Sequence, residues 1–272
     1  MTIRLLSLIN KEKSNGYNDV SASAKVCQDL VLKAIANGAM CKNVTIKGGV
    51  VMRSKTGNIR RATQDIDLDF IKYSLSESSI DLFIDSMNSI NGVSFTRIGK
   101  IEELNQQDYH GKRAFIQIVD NTGYQLSSKI DFGVHKNLEI KQEEYCFDIS
   151  FADDGASLLI NTNEQMVTGK LRSLLKFGPA STRYKDIFDM YYLTLHIDRY
   201  KLQMCLNTYI YQDSGMRENN IDDVIKRVEM TFQNKMYQRR IQTSDKKWID
   251  KNSNDIFEEL IAFFYTLTYI KV

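Results

Sequence analysis

Between Thr63 and Phe70 the chain reads Thr-Gln-Asp-Ile-Asp-Leu-Asp-Phe, three carboxylates on odd positions alternating with three apolar residues on even ones. On a β-strand this pattern sends Ile66, Leu68 and Phe70 to one face and Asp65, Asp67 and Asp69 to the other. Acids two residues apart on one face repel each other unless a cation neutralises them. A hard divalent ion does so through carboxylate oxygens and keeps positions open for phosphate oxygens. The plainer alternative is an exposed strand face whose acids pair with lysines or water, and a single Asp-x-Asp favours it. Asp69, farther along the strand, is expected in a salt bridge.

Two further features weight the balance toward chemistry. Lys47-Gly48-Gly49 lies between a strand and a helix. Paired glycines there let backbone N–H groups approach a phosphate at a helix N-terminus, although Gly-Gly also serves any tight turn. Lys129-Ile130-Asp131-Phe132 repeats the alternation on another predicted strand and supplies a third carboxylate. Two acids on one strand, one on a neighbour and a phosphate-binding turn are what metal-assisted nucleotidyl transfer requires. Later in the chain, Lys170 follows Glu164 on one helix, and Asp186 and Asp189 share a face of another. Taken alone, Arg183 to Asp189 reads as a surface helix start with its acids and bases paired. His110, His135 and His196 are isolated and receive no role.

The elements that must position these residues change character along the chain. The spacing predicts a helix over Ser21–Ala36, a strand at Val44–Ile46, a helical turn at Val50–Arg53, a strand at Ile66–Tyr73 and a helix at Ser78–Ile90. Strands follow at Val93–Ile98, Ala114–Val119, Tyr124–Phe132 and Glu144–Ile149, with Asn121-Thr122-Gly123 as a turn. Then come helices at Asn163–Lys176, Arg183–His196, Tyr200–Gln212, Ile221–Met236 and Asp255–Tyr269. The expected fold is α/β (α+β): a small mixed sheet with flanking helices over residues 1–155, then a helical domain over 156–272. The active cleft is expected between them, since the acids lie in the first part and Lys170 and Asp186 in the second.

Composition narrows the function classes. With 272 residues, 43% apolar and 26% charged, the chain suits a soluble globular protein and not a disordered or fibrous one. No apolar run approaches a membrane span, no export signal is evident, and four scattered cysteines read as reduced thiols, so a cytoplasmic location is expected. The net charge of +2 advertises no global nucleic-acid field. Locally, Lys226, Arg227, Lys235, Arg239, Arg240, Lys246, Lys247 and Lys251 gather with Phe232, Tyr237 and Trp248 interleaved. Such a surface could hold a phosphate backbone, with Trp248 stacked on a base. An ordinary solvated helix face is the slightly favoured alternative.

Together these motifs resemble the AbiEii/AbiGii toxin family of the DNA polymerase β-like nucleotidyltransferase superfamily. The resemblance rests on Lys47-Gly48-Gly49 with Arg53, on Arg61-x-Thr63-x-Asp65-x-Asp67-Leu68, on Asp131, and on two helical motifs, Glu164 with Lys170-Leu171 and Arg183-Tyr184-Lys185-Asp186-Ile187-Phe188-Asp189. It runs from about Val26 to Leu193. Thr168-Gly169-Lys170 stands where the family carries Ala-Glu-Lys, so a glutamate is missing beside the lysine. The resemblance implies Mg²⁺ or Mn²⁺ held by Asp65, Asp67 and Asp131, with Asp131 also helping to deprotonate the attacking hydroxyl. It implies NTP phosphates cradled by Gly48 and Gly49 with Lys47 and Arg53 nearby. Lys170, Arg183 and Lys185 would attend the nucleotide or acceptor, and Asp186 positioning or proton transfer. The reaction implied is transfer of an NMP from an NTP to a hydroxyl acceptor. The acceptor would be an RNA such as tRNA, and the setting a toxin with a cognate antitoxin. Rival readings are modification of a small molecule or a protein, and a non-catalytic nucleotide-binding protein. Substitution of Asp65, Asp131, Lys170 or Asp186 is expected to abolish transfer and spare the fold.

Overall fold

A computed structural model describes residues 3–106 and 109–270, and the chain divides into two compact units, Met1–Asn161 and Thr162–Val272. The first opens with helices α1 (Leu5–Ser14) and α2 (Asp19–Asn37), then strand β1 (Val44–Lys47), helix α3 (Gly48–Thr56), strand β2 (Ile66–Phe70) and helix α4 (Glu77–Ser86). Five strands complete it: β3 (Val93–Gln106), β4 (Tyr109–Asp120), β5 (Gln125–Val134), β6 (Glu143–Ile149) and β7 (Ala152–Ile160).

All seven strands form one mixed sheet in the order β3-β4-β5-β2-β1-β7-β6. The pairs β1–β7 and β2–β5 are parallel and the rest antiparallel. Alternation sets the register. Ile66, Leu68 and Phe70 are fully buried, and Phe70 packs edge-on against Phe83 of α4, 5.2 Å between ring centres, with Phe132 of β5 at 5.4 Å. Burying each such side chain is worth about 1.5–3 kcal/mol. A slip of one residue would exchange these three for three aspartates, so the register is strongly specified. Helix α2 starts under an Asn18 cap, whose side chain accepts the Ser21 amide at 2.9 Å.

Two elements of this unit escape the sequence pattern. Helix α1 was not anticipated, and neither was β7, whose small and acidic opening, Ala152-Asp153-Asp154-Gly155, hides a strand. Its later residues Ala156, Leu158 and Ile160 face the core, and Ile160 aligns in parallel with Ile46. The first unit therefore runs to Asn161, past the expected boundary at 155.

The second unit is helical: α5 (Asn163–Phe177), α6 (Tyr184–Thr194), α7 (Arg199–Leu206) continued by a π-turn, α8 (Ile221–Phe232), α9 (Lys235–Gln242) and α10 (Ser253–Thr266). Short polar side chains start most of them. Thr162 and Gln165 form a capping box on α5, and Asp198, Asn220, Asn234 and Asn252 cap α7 to α10. The continuous helix expected over Ile221–Met236 is in fact two. The Asn234 side chain takes the Tyr237 amide at 3.1 Å, offering the backbone a fresh start in place of the next helical bond. No helix among the described residues is long and apolar enough to cross a membrane, and all four cysteines are free.

Candidate active site

In the first unit, strand register alone gathers most of the expected residues. Lys47 stands opposite Asp67, Asp67 opposite Asp131, and Asp131 opposite Arg113. One row of four charged side chains thus crosses β1, β2, β5 and β4, neighbours about 4.8 Å apart along the hydrogen-bonding direction. The row reads cation, acid, acid, cation.

Each acid of this face has a partner. Arg113 donates two parallel hydrogen bonds to Asp131, from Nε at 2.7 Å and from Nη2 at 2.8 Å. Those bonds push the Arg113 guanidinium upward against partial desolvation, and Asp65 adds to the pull. Lys129 Nζ lies 2.9 Å from Asp65 Oδ1, and Lys47 Nζ 2.6 Å from Asp69 Oδ1. Asp69 is therefore the salt-bridged acid that the sequence suggested. Lys47, expected at the nucleotide, is its partner.

The two glycines hold the helix start against these acids. Gly48 has φ +70°, and a Cβ there would come 2.2 Å from Asp67 Oδ2. At Gly49 a Cβ would come 2.5 Å from Thr63 Oγ1. Only glycine lets the first turn of α3 lie this close to Asp67, so backbone amides and carboxylate share one corner. Arg53, on the same helix, points elsewhere. It is buried with Nη2 3.7 Å from Asp29 Oδ1, beside the Lys25–Asp29 ion pair. Its guanidinium supports α3 from inside the unit, a correction to its expected place beside phosphates.

A divalent ion fits the donor chemistry of this corner. Asp67 and Asp131 are hard oxygen ligands on adjacent strands, and no three His, Cys, Asp or Glu side chains among the described residues close into a complete cage. Mg²⁺ is suited to such a partial set, since it fills its octahedron with water and substrate phosphates.

The second unit holds a second cluster. Lys170 donates from Nζ to Asp186 Oδ1 at 2.8 Å and to Asp189 Oδ2 at 2.7 Å. Arg183 Nε reaches Asp186 Oδ2 at 2.6 Å, and Trp248 Nε1 reaches Asp189 Oδ1 at 3.0 Å. Lys170, Asp186 and Asp189 are all buried. Burial pushes the Asp186 carboxyl up, yet Lys170 and Arg183 outweigh it and hold the group below the usual range. Lys185 is half-buried on α6, within electrostatic reach of Asp245. Glu164 accepts the Asp198 amide at 2.9 Å and so organises the start of α7.

Two expectations for the C-terminal third are overturned. Trp248 is 3% exposed with its indole N–H on Asp189, so it offers no face to a base. Phe232 and Tyr237 are equally interior, leaving no aromatic platform between the cations. Lys226, Lys235, Arg239, Arg240 and Lys246 are exposed, whereas Arg227 turns to the Leu175 carbonyl and Lys251 to Glu259. Sequence reasoning missed Arg113 outright. The alternation of β4 places Arg113 opposite its core face, but only the register reveals Asp131 as its neighbour.

Residues 30–258 match the model of a family described as nucleotidyl transferase AbiEii toxin, type IV TA system. Among solved structures, the chain is similar to an antigenic nucleotidyltransferase-like protein from Paracoccidioides brasiliensis. The two share 14% identity with a TM-score of 0.46, over 87% of this chain and 97% of that one. No curated protein matches.

Proposed function

Because the chain belongs to the AbiEii family of nucleotidyl transferase toxins, we propose that it transfers a nucleoside monophosphate from an NTP to a hydroxyl of an RNA acceptor, releasing pyrophosphate. The observation that carries this reading is the row Lys47–Asp67–Asp131–Arg113 with the Gly48 backbone seated against Asp67. Phosphoryl chemistry of this kind needs positioning and charge more than covalent help from the protein. A bound Mg²⁺ or Mn²⁺ would supply charge neutralisation at the phosphates, with Asp67 and Asp131 as its protein ligands and Asp65, paired with Lys129, beside them.

The chain's own groups divide the remaining work. Amides of Gly48 and Gly49 at the start of α3 take phosphate oxygens, with Lys47 close by. Asp131 accepts the proton of the attacking hydroxyl, and Arg113 keeps that carboxylate oriented through two parallel hydrogen bonds. In the second unit, Lys170, Arg183 and Lys185 are the cations proposed for the nucleotide or the acceptor, and Asp186 fixes Lys170 and Arg183. The exposed cations of α8 and α9 suit an RNA backbone better than a small molecule. As a family toxin the protein is assigned a cognate antitoxin as its partner.

The test is transfer itself. Protein, Mg²⁺ and total tRNA are incubated with each α-³²P-labelled NTP in turn and resolved on a denaturing gel. Labelled RNA that vanishes with Asp67→Asn and with Asp131→Asn is expected. Label on protein, on a small molecule, or nowhere overturns the RNA reading.

A further inference from the structure

Beside the acids of the first unit lies a cavity of about 550 Å³ whose lining includes Asp19, Ser23, Gln64, Phe115, Ser128 and Lys129. It is a notch in the sheet. The β2–β5 ladder begins at Ile66 opposite Ile130, so Ser127 and Ser128 of β5 run ahead of it with no β2 residue alongside. The first turns of α2 and the side chain of Gln64 frame the gap.

We infer that this notch binds a nucleobase of the acceptor RNA, an inference that rests on the nucleotidyl-transfer reading above. The volume falls within the range of small-ligand sites, roughly 300–1,000 Å³. The lining is wrong for a phosphate: its one cation, Lys129, is already paired with Asp65 at 2.9 Å, and Asp19 adds negative charge. It is right for a flat, neutral, edge-bonding group. Phe115 offers a ring, Gln64 an amide that both donates and accepts, and Ser23 and Ser128 hydroxyls that can do either.

The order of strands says which nucleotide this is. The proposed phosphate cradle is at the end of β1, the acids follow on β2 and β5, and the notch lies beyond them, at β5 and β4. It is thus on the side of Asp131, the acid proposed to receive the acceptor's proton. Phe115 and Lys129 are opposite one another, and Arg113 and Asp131 are opposite one another two residues along. One strand repeat, roughly 7 Å, therefore separates the ring from the base that activates the hydroxyl.

The experiment measures binding and needs no turnover. The probes are 5′-fluorescein RNAs ending in each of the four bases, the same RNA with an abasic 3′ end, and a fluorescent ATP analogue. Ser128→Trp, which fills the notch, and Gln64→Ala, at an exposed position that spares the fold, are compared with the parent by anisotropy. Expected is at least a fivefold loss of affinity for the base-ended RNAs, little change for the abasic RNA, and none for the ATP analogue. Loss of ATP-analogue binding instead would assign the notch to the NTP and overturn the inference. So would unchanged RNA affinity in both variants, or a parent that binds abasic and base-ended RNA alike. Failure of the wider reading is separable, because it shows as absent label transfer by the parent protein whatever the anisotropy reports.

Discussion

Replacing Lys170 by Met keeps the aliphatic stem and deletes one buried charge that two carboxylates share. At 2.7 and 2.8 Å each pair is worth about 6 kcal/mol of gross attraction at an effective dielectric near 20, most of it offset by desolvation. What decides the outcome is what remains. Asp186 keeps Arg183, whereas the fully buried Asp189 loses the Lys170 ammonium and keeps the neutral indole N–H of Trp248. Removing one partner of such a buried pair costs roughly 3–5 kcal/mol. At about 4 °C per kcal/mol for a unit of this size, the transition of the second unit should fall by ~12–20 °C in a thermal melt followed by circular dichroism. Adding Asp189→Asn to the Lys170→Met protein should restore much of the loss, because the buried negative charge that Lys170 offset is gone. A single-variant cost below about 1 kcal/mol, or no recovery in the double variant, would refute the account of a buried, mutually dependent cluster. The expectation from sequence that Lys170 can be replaced without cost to the fold is thereby reversed.

Gly48→Ala should destabilise the first unit by roughly 1–3 kcal/mol and weaken NTP binding measured by calorimetry, since a Cβ meets Asp67 and the backbone has positive φ. A protein of parental stability and affinity would show that α3 can retreat from Asp67. Arg113→Gln should raise Mn²⁺ affinity several-fold in an electron-spin-resonance titration of free ion, because Asp131 loses a competing cation; unchanged affinity would mean that Asp131 does not reach the ion. For pH, the Asp186 carboxyl is lowered in the folded protein, so its contribution to stability is complete above the unfolded value near 4 and is lost as pH falls through the folded value. The urea midpoint of the second unit should be flat from pH 8 to 5 and decline below about 4, and a decline beginning above pH 6 would point to another group.

How far the sequence could be read depended on whether the information was local. The Asp65-to-Phe70 alternation and the 3.6-residue spacing of α5 and α6 sit within single elements, so strand, helices and buried faces followed directly. The neighbours of those faces did not. Nothing within β4 says that Arg113 meets Asp131, because that pairing depends on how β5 lies against β4 and β2. Trp248 misled for the same reason. An indole among lysines looks exposed until Asp189, far away in the chain, claims its N–H. Arg53 belonged to a resemblance that was right about the motif, while the direction of its side chain was set by Asp29 on another helix. Strand β7 went unseen because its inward residues begin only at Ala156, after an acidic opening that reads as a loop.

The central position of β1 has a consequence for how the protein is made. Its two neighbours in the sheet are β2, which follows closely, and β7, where Thr45 aligns with Leu159. During synthesis the strand leading into the Gly48 corner therefore waits, flanked on one side only, until residue 160 has left the ribosome. Lys170 and Asp186 emerge later still. A ribosome carrying this chain thus holds the sheet open beside β1 until synthesis has passed β7, and an edge left unpaired for that long is the one most exposed to a wrong partner.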